Sequence, residues 1–149
     1  MRSSHVCVAD LRLMRALQRR AAAYFGLQAA ATTGWWIMLW AWPELRTHFM
    51  APSQTEEMLL AFWLPDLILV VLPSLTASWL IVRGHPAIGR VLWFTTGAVS
   101  YAALYCLSLS LQTDGAWLST ILMLPAMLLT GCFALALSGH RETFRRARP

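Results

Sequence analysis

The sequence predicts an all-α integral membrane protein, built as an up-down bundle of four antiparallel transmembrane helices. Three observations carry that expectation. Hydrophobic residues make up 58% of the 149 positions and charged residues 13%, where soluble domains run at about 45–50% and 25%. Four apolar stretches each exceed the roughly 20 residues that cross about 30 Å of hydrocarbon as helix. The arginines also fall on one side of a four-span thread.

Residues 1–20 are a basic segment. From Val8 to Arg20 a helix would put Arg12, Arg15 and Arg19 on one face and Leu13, Met14 and Leu17 on another. That pattern suits a helix lying on an anionic leaflet, and it equally suits an inward extension of the first span. The first span runs over about 21–42. Ala29, Ala30 and Ala31 resemble a signal-peptide cleavage region, but the apolar run continues through Trp35, Trp36, Ile37 and Trp40. It is long enough to be retained as a span.

The longest connection follows, from Pro43 to Thr55. Ser53 and Glu56 have capping-box spacing, so the second helix is expected to begin in the interface. Its span runs over about 58–82 and contains Pro65 and Pro73, each of which removes a backbone donor and favours a kink. Arg83 to Arg90, with Gly84, His85 and Pro86, make a turn into the third span, about 91–111. Gln112 to Ala116 make another turn into the fourth, about 117–138, which contains Pro125. The tail, 139–149, reads as a short, disordered, basic anchor.

Orientation follows from the charges. All twelve basic residues are arginine, and the formal charge is +5. Arg2, Arg12, Arg15, Arg19, Arg20, Arg83, Arg90, Arg141, Arg145, Arg146 and Arg148 share one side of the four-span thread. The other side has only Arg46, with Glu44, Glu56, Glu57 and Asp114. Positive charge stays cytoplasmic, so the chain is expected in the cell membrane as a multi-pass protein with both termini inside. Membrane lipids are the expected partner of this charge. No aromatic-interleaved basic patch points to nucleic acid.

Small residues at four-residue spacing let membrane helices approach closely. Ala22, Gly26, Ala30 and Gly34 form such a ridge on the first span, and Ala126, Thr130, Ala134 and Ser138 on the fourth. Ser74, Ala77 and Ser78 add to it on the second. These ridges serve packing within the chain, with a second copy, or with a larger membrane partner.

Asp66 is the one acid within a span, roughly 12 Å below the outer boundary by helical rise. An acid there costs on the order of 2.5–3.5 kcal/mol on insertion scales and usually faces an interior or a cavity. Tyr101, Tyr105 and Ser108 share a face of the third span near that depth, so a polar, ligand-binding cluster with Asp66 is expected. Two other readings stand beside it. Pro65 and Asp66 can open the true membrane helix, the acid complementing its dipole, or Asp66 can serve a subunit contact.

Cys7, Cys106 and Cys132 have neither CxxC nor metal spacing. Cys106 and Cys132 lie too far apart in depth for the roughly 5.5 Å Cα separation of a disulfide. His5, His48, His85 and His140 lie outside the spans. No catalytic residue, metal site or cofactor is expected, and Arg83, His85 and Arg90 would at most hold a headgroup phosphate. The leading expectation is a non-enzymatic accessory or scaffold subunit acting through helix–helix contacts. The alternative is binding or transport of a small lipophilic or cationic molecule in an outward-facing cavity beside Asp66.

Overall fold

Apolar segments need helix to satisfy their backbone in lipid, and helix is the only regular structure among the described residues of the computed structural model. The structure describes residues 2–52 and 54–146, with side chains from 12 to 139 apart from 53. Helix α1 runs from Arg2 to Ala41, about 60 Å at 1.5 Å per residue. The basic segment is therefore continuous with the first apolar stretch; no turn sets it apart. Side chains before Arg12 lie outside the described residues.

A short 3-10 helix, Pro43–His48, folds the chain back over the end of α1. Arg46 explains this return. Its Nε donates to the Leu39 carbonyl at 2.9 Å, one of the carbonyls a helix end leaves unpaired, and its Nη1 lies 2.6 Å from Glu56 Oε2. Phe49 is pinned beneath, its ring 4.1 Å from that of Trp35 and packed with Trp36 and Leu39.

Helix α2, Glu56–Leu60, is capped by Thr55, whose side chain accepts from the Met58 N–H at 3.4 Å. This corrects the expected cap: Thr55 performs it, directly before the acidic pair Glu56 and Glu57 that suits a helix N-terminus. Ser53 lies outside the described residues. The chain turns at Ala61 and Phe62, then resumes as α3, Trp63–Asp66. A π-helical turn, Leu67–Val71, leads into α4, Leu72–Arg83. Pro73 has no N–H to donate one turn back, and its ring crowds the carbonyl there. Just before it, Leu72 N–H reaches five residues back to Leu67, a widened turn that accommodates the proline. Gly84 closes α4 in the left-handed conformation, φ 62°, where a Cβ would be strained.

Helix α5 runs from Ile88 to Thr113 and α6 from Trp117 to Arg146. Helix α6 passes through Pro125 without a break and continues beyond Gly139. The tail expected to be disordered is thus helical as far as Arg146; residues 147–149 lie outside the described residues. Between the helices, Asp114 and Ala116 have φ of 49° and 56°. Gly115 lies between them with no room for a Cβ, which would meet Pro52 Cδ at 2.7 Å.

Three stretches are long and apolar enough to span a membrane: Glu56–Arg83, Ile88–Thr113 and Trp117–Gly139. The protein is membrane-embedded on that account. Helix α1 falls outside this set; Gln28, Thr32 and Thr33 interrupt its apolar run. Its small residues Ala22 and Gly26 are nonetheless packed. Ser78 donates to the Ala22 carbonyl at 2.8 Å, and a Cβ on Gly26 would lie 3.6 Å from Ser78 Oγ. Ala21, Phe25, Ala77, Leu80, Leu92 and Ala134 close one end of the core. On α6, Thr130 and Ala134 are fully buried.

Candidate functional site

Asp66 lies at the end of the one-turn helix α3, which opens at Trp63. Its carboxylate does not cap that helix. It turns sideways to α1, where Trp36 Nε1 donates to Oδ2 at 3.0 Å. Indole nitrogen has a single proton and no acceptor role, so this is a dedicated donor to a half-buried acid. Trp36 itself is only 9% exposed.

The partners expected on α5 are not brought to this bond. Tyr101 is 70% exposed. Tyr105 packs its ring 5.2 Å from Phe62, and Ser108 accepts from Gln112 Nε2 at 2.8 Å on an exposed face. Helical phase explains the difference: Leu92, Thr95, Val99, Ala103 and Ser110 take the buried face of α5, which turns both phenols outward. The bundle therefore pairs Asp66 with α1, a contact that depth matching between the second and third spans does not suggest. One signal was present in the sequence. Gln28, Thr32 and Trp36 recur at four-residue spacing, a polar stripe on one face of an otherwise apolar helix.

That stripe faces the interior. Gln28 and Thr32 of α1 join Asp66, Val70, Val99 and Met123 around a cavity of about 30 Å³. The second, third and fourth apolar stretches and α1 all contribute to its wall. Below it lies a hydrogen-bonded knot. Tyr24 donates to the Ala126 carbonyl at 2.9 Å, and Thr130 Oγ1 lies 2.7 Å from that carbonyl, 2.9 Å from Tyr24 Oη and 3.2 Å from Gln28 Oε1. Gln28 Nε2 is buried with no partner.

Trp36 borders a second space. Trp36, Ile37 and Trp40 of α1, with Trp63 and Leu67 opposite, line an open groove of about 520 Å³ in which Thr33 is the polar side chain. Trp36 lines this groove, and its N–H is committed to Asp66, which lines the smaller cavity.

The third expected group sits in the turn after α4. Arg83 places its guanidinium 5.7 Å from the Trp79 ring centroid, a cation–π distance. His85 Nδ1 accepts the Ala87 N–H at 3.1 Å, which ties its ring into the turn, and Arg90 is exposed. Cys106 and Cys132 are free thiols. Among the described residues no three His, Cys, Asp or Glu side chains converge on one point. Family models, curated proteins and solved structures were each compared with this chain, and none matches.

Proposed function

We propose that this chain crosses the cell membrane four times, with both termini cytoplasmic, and binds a small lipophilic molecule in the groove beside Asp66. The fourth pass is α1. Its polar Gln28 and Thr32 line an interior cavity, while Leu27, Ile37 and Trp40 are exposed, so its outer surface is apolar despite its modest mean hydropathy. Ala22 meets Ser78 and Trp36 meets Asp66, which is the pattern of two neighbours running in opposite directions. The arginine bias supplies the orientation.

The groove carries the ligand reading. Its volume of about 520 Å³ falls within the range typical of ligand sites, about 300–1,000 Å³, and such sites are mostly apolar with few polar groups. Three tryptophan rings offer faces to an apolar or cationic guest, and the carboxylate behind Trp36 favours positive charge. The test uses tetraphenylphosphonium, a lipophilic cation, with the detergent-solubilised full chain. Saturable binding is expected, weakened about tenfold by Trp40→Ala or Trp63→Ala, each a loss of one aromatic contact of about 1.4 kcal/mol. Absence of saturable binding, or equal binding by both folded variants, rules the groove out.

A second reading, the accessory subunit, is favoured by one observation. Ala30 and Gly34 are exposed, and nothing lies within 4 Å of a Cβ built on Gly34. Half of the α1 ridge is therefore open to a partner helix. Co-purification of one stoichiometric membrane partner, abolished by Gly34→Leu, would select this reading.

A further inference from the structure

We infer that the Arg83 end of α4 is a binding site for an anionic phospholipid, its phosphate held by Arg83 and Trp79 and one acyl chain laid along Leu75 and Leu72. It lies at the far end of α4 from the tryptophan groove and does not depend on that groove taking a guest.

Charge is the first observation. Arg83 is the last residue of a stretch long and apolar enough to span a membrane, which places it at the level of the lipid headgroups. It is not alone there. One core cluster contains Ala21 of α1, Ile81 of α4, and Ile88 and Leu92 of α5. Arg20, Arg83 and Arg90 each stand within two residues of a member of that cluster, and all three are exposed. Arg46 and Glu56 form the only ion pair among the described residues, so none of the three has an acidic partner there. Such a group of arginines attracts anionic headgroups.

The setting of Arg83 is the second. Its guanidinium lies 5.7 Å from the Trp79 ring centroid, a distance at which the ring face draws a cation. Stacking restricts the guanidinium while leaving N–H groups at its edge, which can meet two phosphate oxygens at once. The exposed Trp79 adds an indole N–H, the polar tip that suits tryptophan to the membrane interface.

Shape is the third. Leu72, Leu75, Trp79 and Val82 recur at three- and four-residue spacing on one face of α4, and all are exposed. From Leu72 to Val82 the helix rises about 15 Å, half of a hydrocarbon core of roughly 30 Å and so the depth of one leaflet. This face carries positive charge where a headgroup sits and an apolar track of acyl-chain length beneath it. A phospholipid uses both parts, whereas a soluble anion uses only the first.

The experiment reconstitutes the full chain in phosphatidylcholine vesicles with graded amounts of phosphatidylglycerol brominated near the ester end of its chains, bromine being a short-range quencher of tryptophan fluorescence. Brominated phosphatidylcholine is the neutral comparison. The Trp79 signal is the fluorescence lost in Trp79→Phe, measured in the wild-type and in the Arg83→Gln background. Phosphatidylglycerol should quench that signal at a roughly fivefold lower mole fraction than phosphatidylcholine, the preference that one arginine near a membrane surface confers. High salt should shrink the preference, and Arg83→Gln, a change at an exposed position, should remove most of it. Equal quenching by the two lipids overturns the proposal, as does a preference undiminished in Arg83→Gln. Inorganic phosphate, set against chloride at equal ionic strength, should not relieve the quenching; relief would mark a site for free anions and overturn the lipid assignment.

Discussion

The bond between Trp36 and Asp66 predicts an energetic coupling that a double-mutant cycle can read. The variants are Trp36→Phe, Asp66→Ala and the pair together. A hydrogen bond to a charged group is worth about 1.5–3 kcal/mol in proteins generally. Cycles on interhelical bonds within membranes run lower, averaging about 0.6 with a maximum near 1.7 kcal/mol, because the unfolded helices find other partners in the bilayer. The 3.0 Å distance and the carboxyl acceptor place this bond near the upper end, at about 1.5 kcal/mol. Trp36→Phe alone should cost more than this coupling, since it also removes buried ring surface from a side chain only 9% exposed. That packing loss recurs in the Asp66→Ala background and cancels from the cycle. Asp66→Ala alone should be neutral or stabilising, because it removes an acid whose insertion costs on the order of 2.5–3.5 kcal/mol. The assay is unfolding in mixed micelles followed by far-UV circular dichroism, which does not depend on the tryptophan being replaced. A coupling below about 0.3 kcal/mol would refute the bond as a determinant of the fold. A marked loss of stability in Asp66→Ala would show that the acid is there for structure rather than for binding.

Other expectations follow from the packing. Gly115→Ala should destabilise the packing of the 43–55 and 112–116 connections by about 1–3 kcal/mol, the usual range for overpacking, since its Cβ would meet Pro52 Cδ at 2.7 Å and Ala51 Cα at 3.3 Å; faster protease cleavage near residue 52 would report it. Tyr24→Phe removes the hydroxyl shared with Ala126 and Thr130 and should cost about 0.5–1.5 kcal/mol in the same micelle assay, with no effect on oligomeric state. Reporters fused before Ala21 and after Pro149 should both read cytoplasmic, and an epitope inserted in the 43–55 connection should read external. Opposite locations for the two ends would remove the four-pass topology.

Helix content, the three strongly apolar stretches and the connecting turns were legible in the residues alone, because each depends on local composition. A run of apolar side chains in lipid has helix as its main solution, and Gly84 or the 112–116 turn marks its end whatever the neighbours do. Asp66 also stood out locally, as a lone acid in an apolar run. Its partner did not. Depth along the second and third apolar stretches suggests Tyr101 and Tyr105, but rotation of α5 about its axis sends both phenols outward, and the packing of α1 against α3 brings Trp36 to the carboxylate. That rotation is decided by which face of every helix packs best, a sum over Thr95, Val99 and Ala103 against their neighbours that no single segment encodes. Length and polarity are properties of a segment; the pairing of Trp36 with Asp66, and the cavity that Gln28 and Thr32 complete, exist only where separate helices meet.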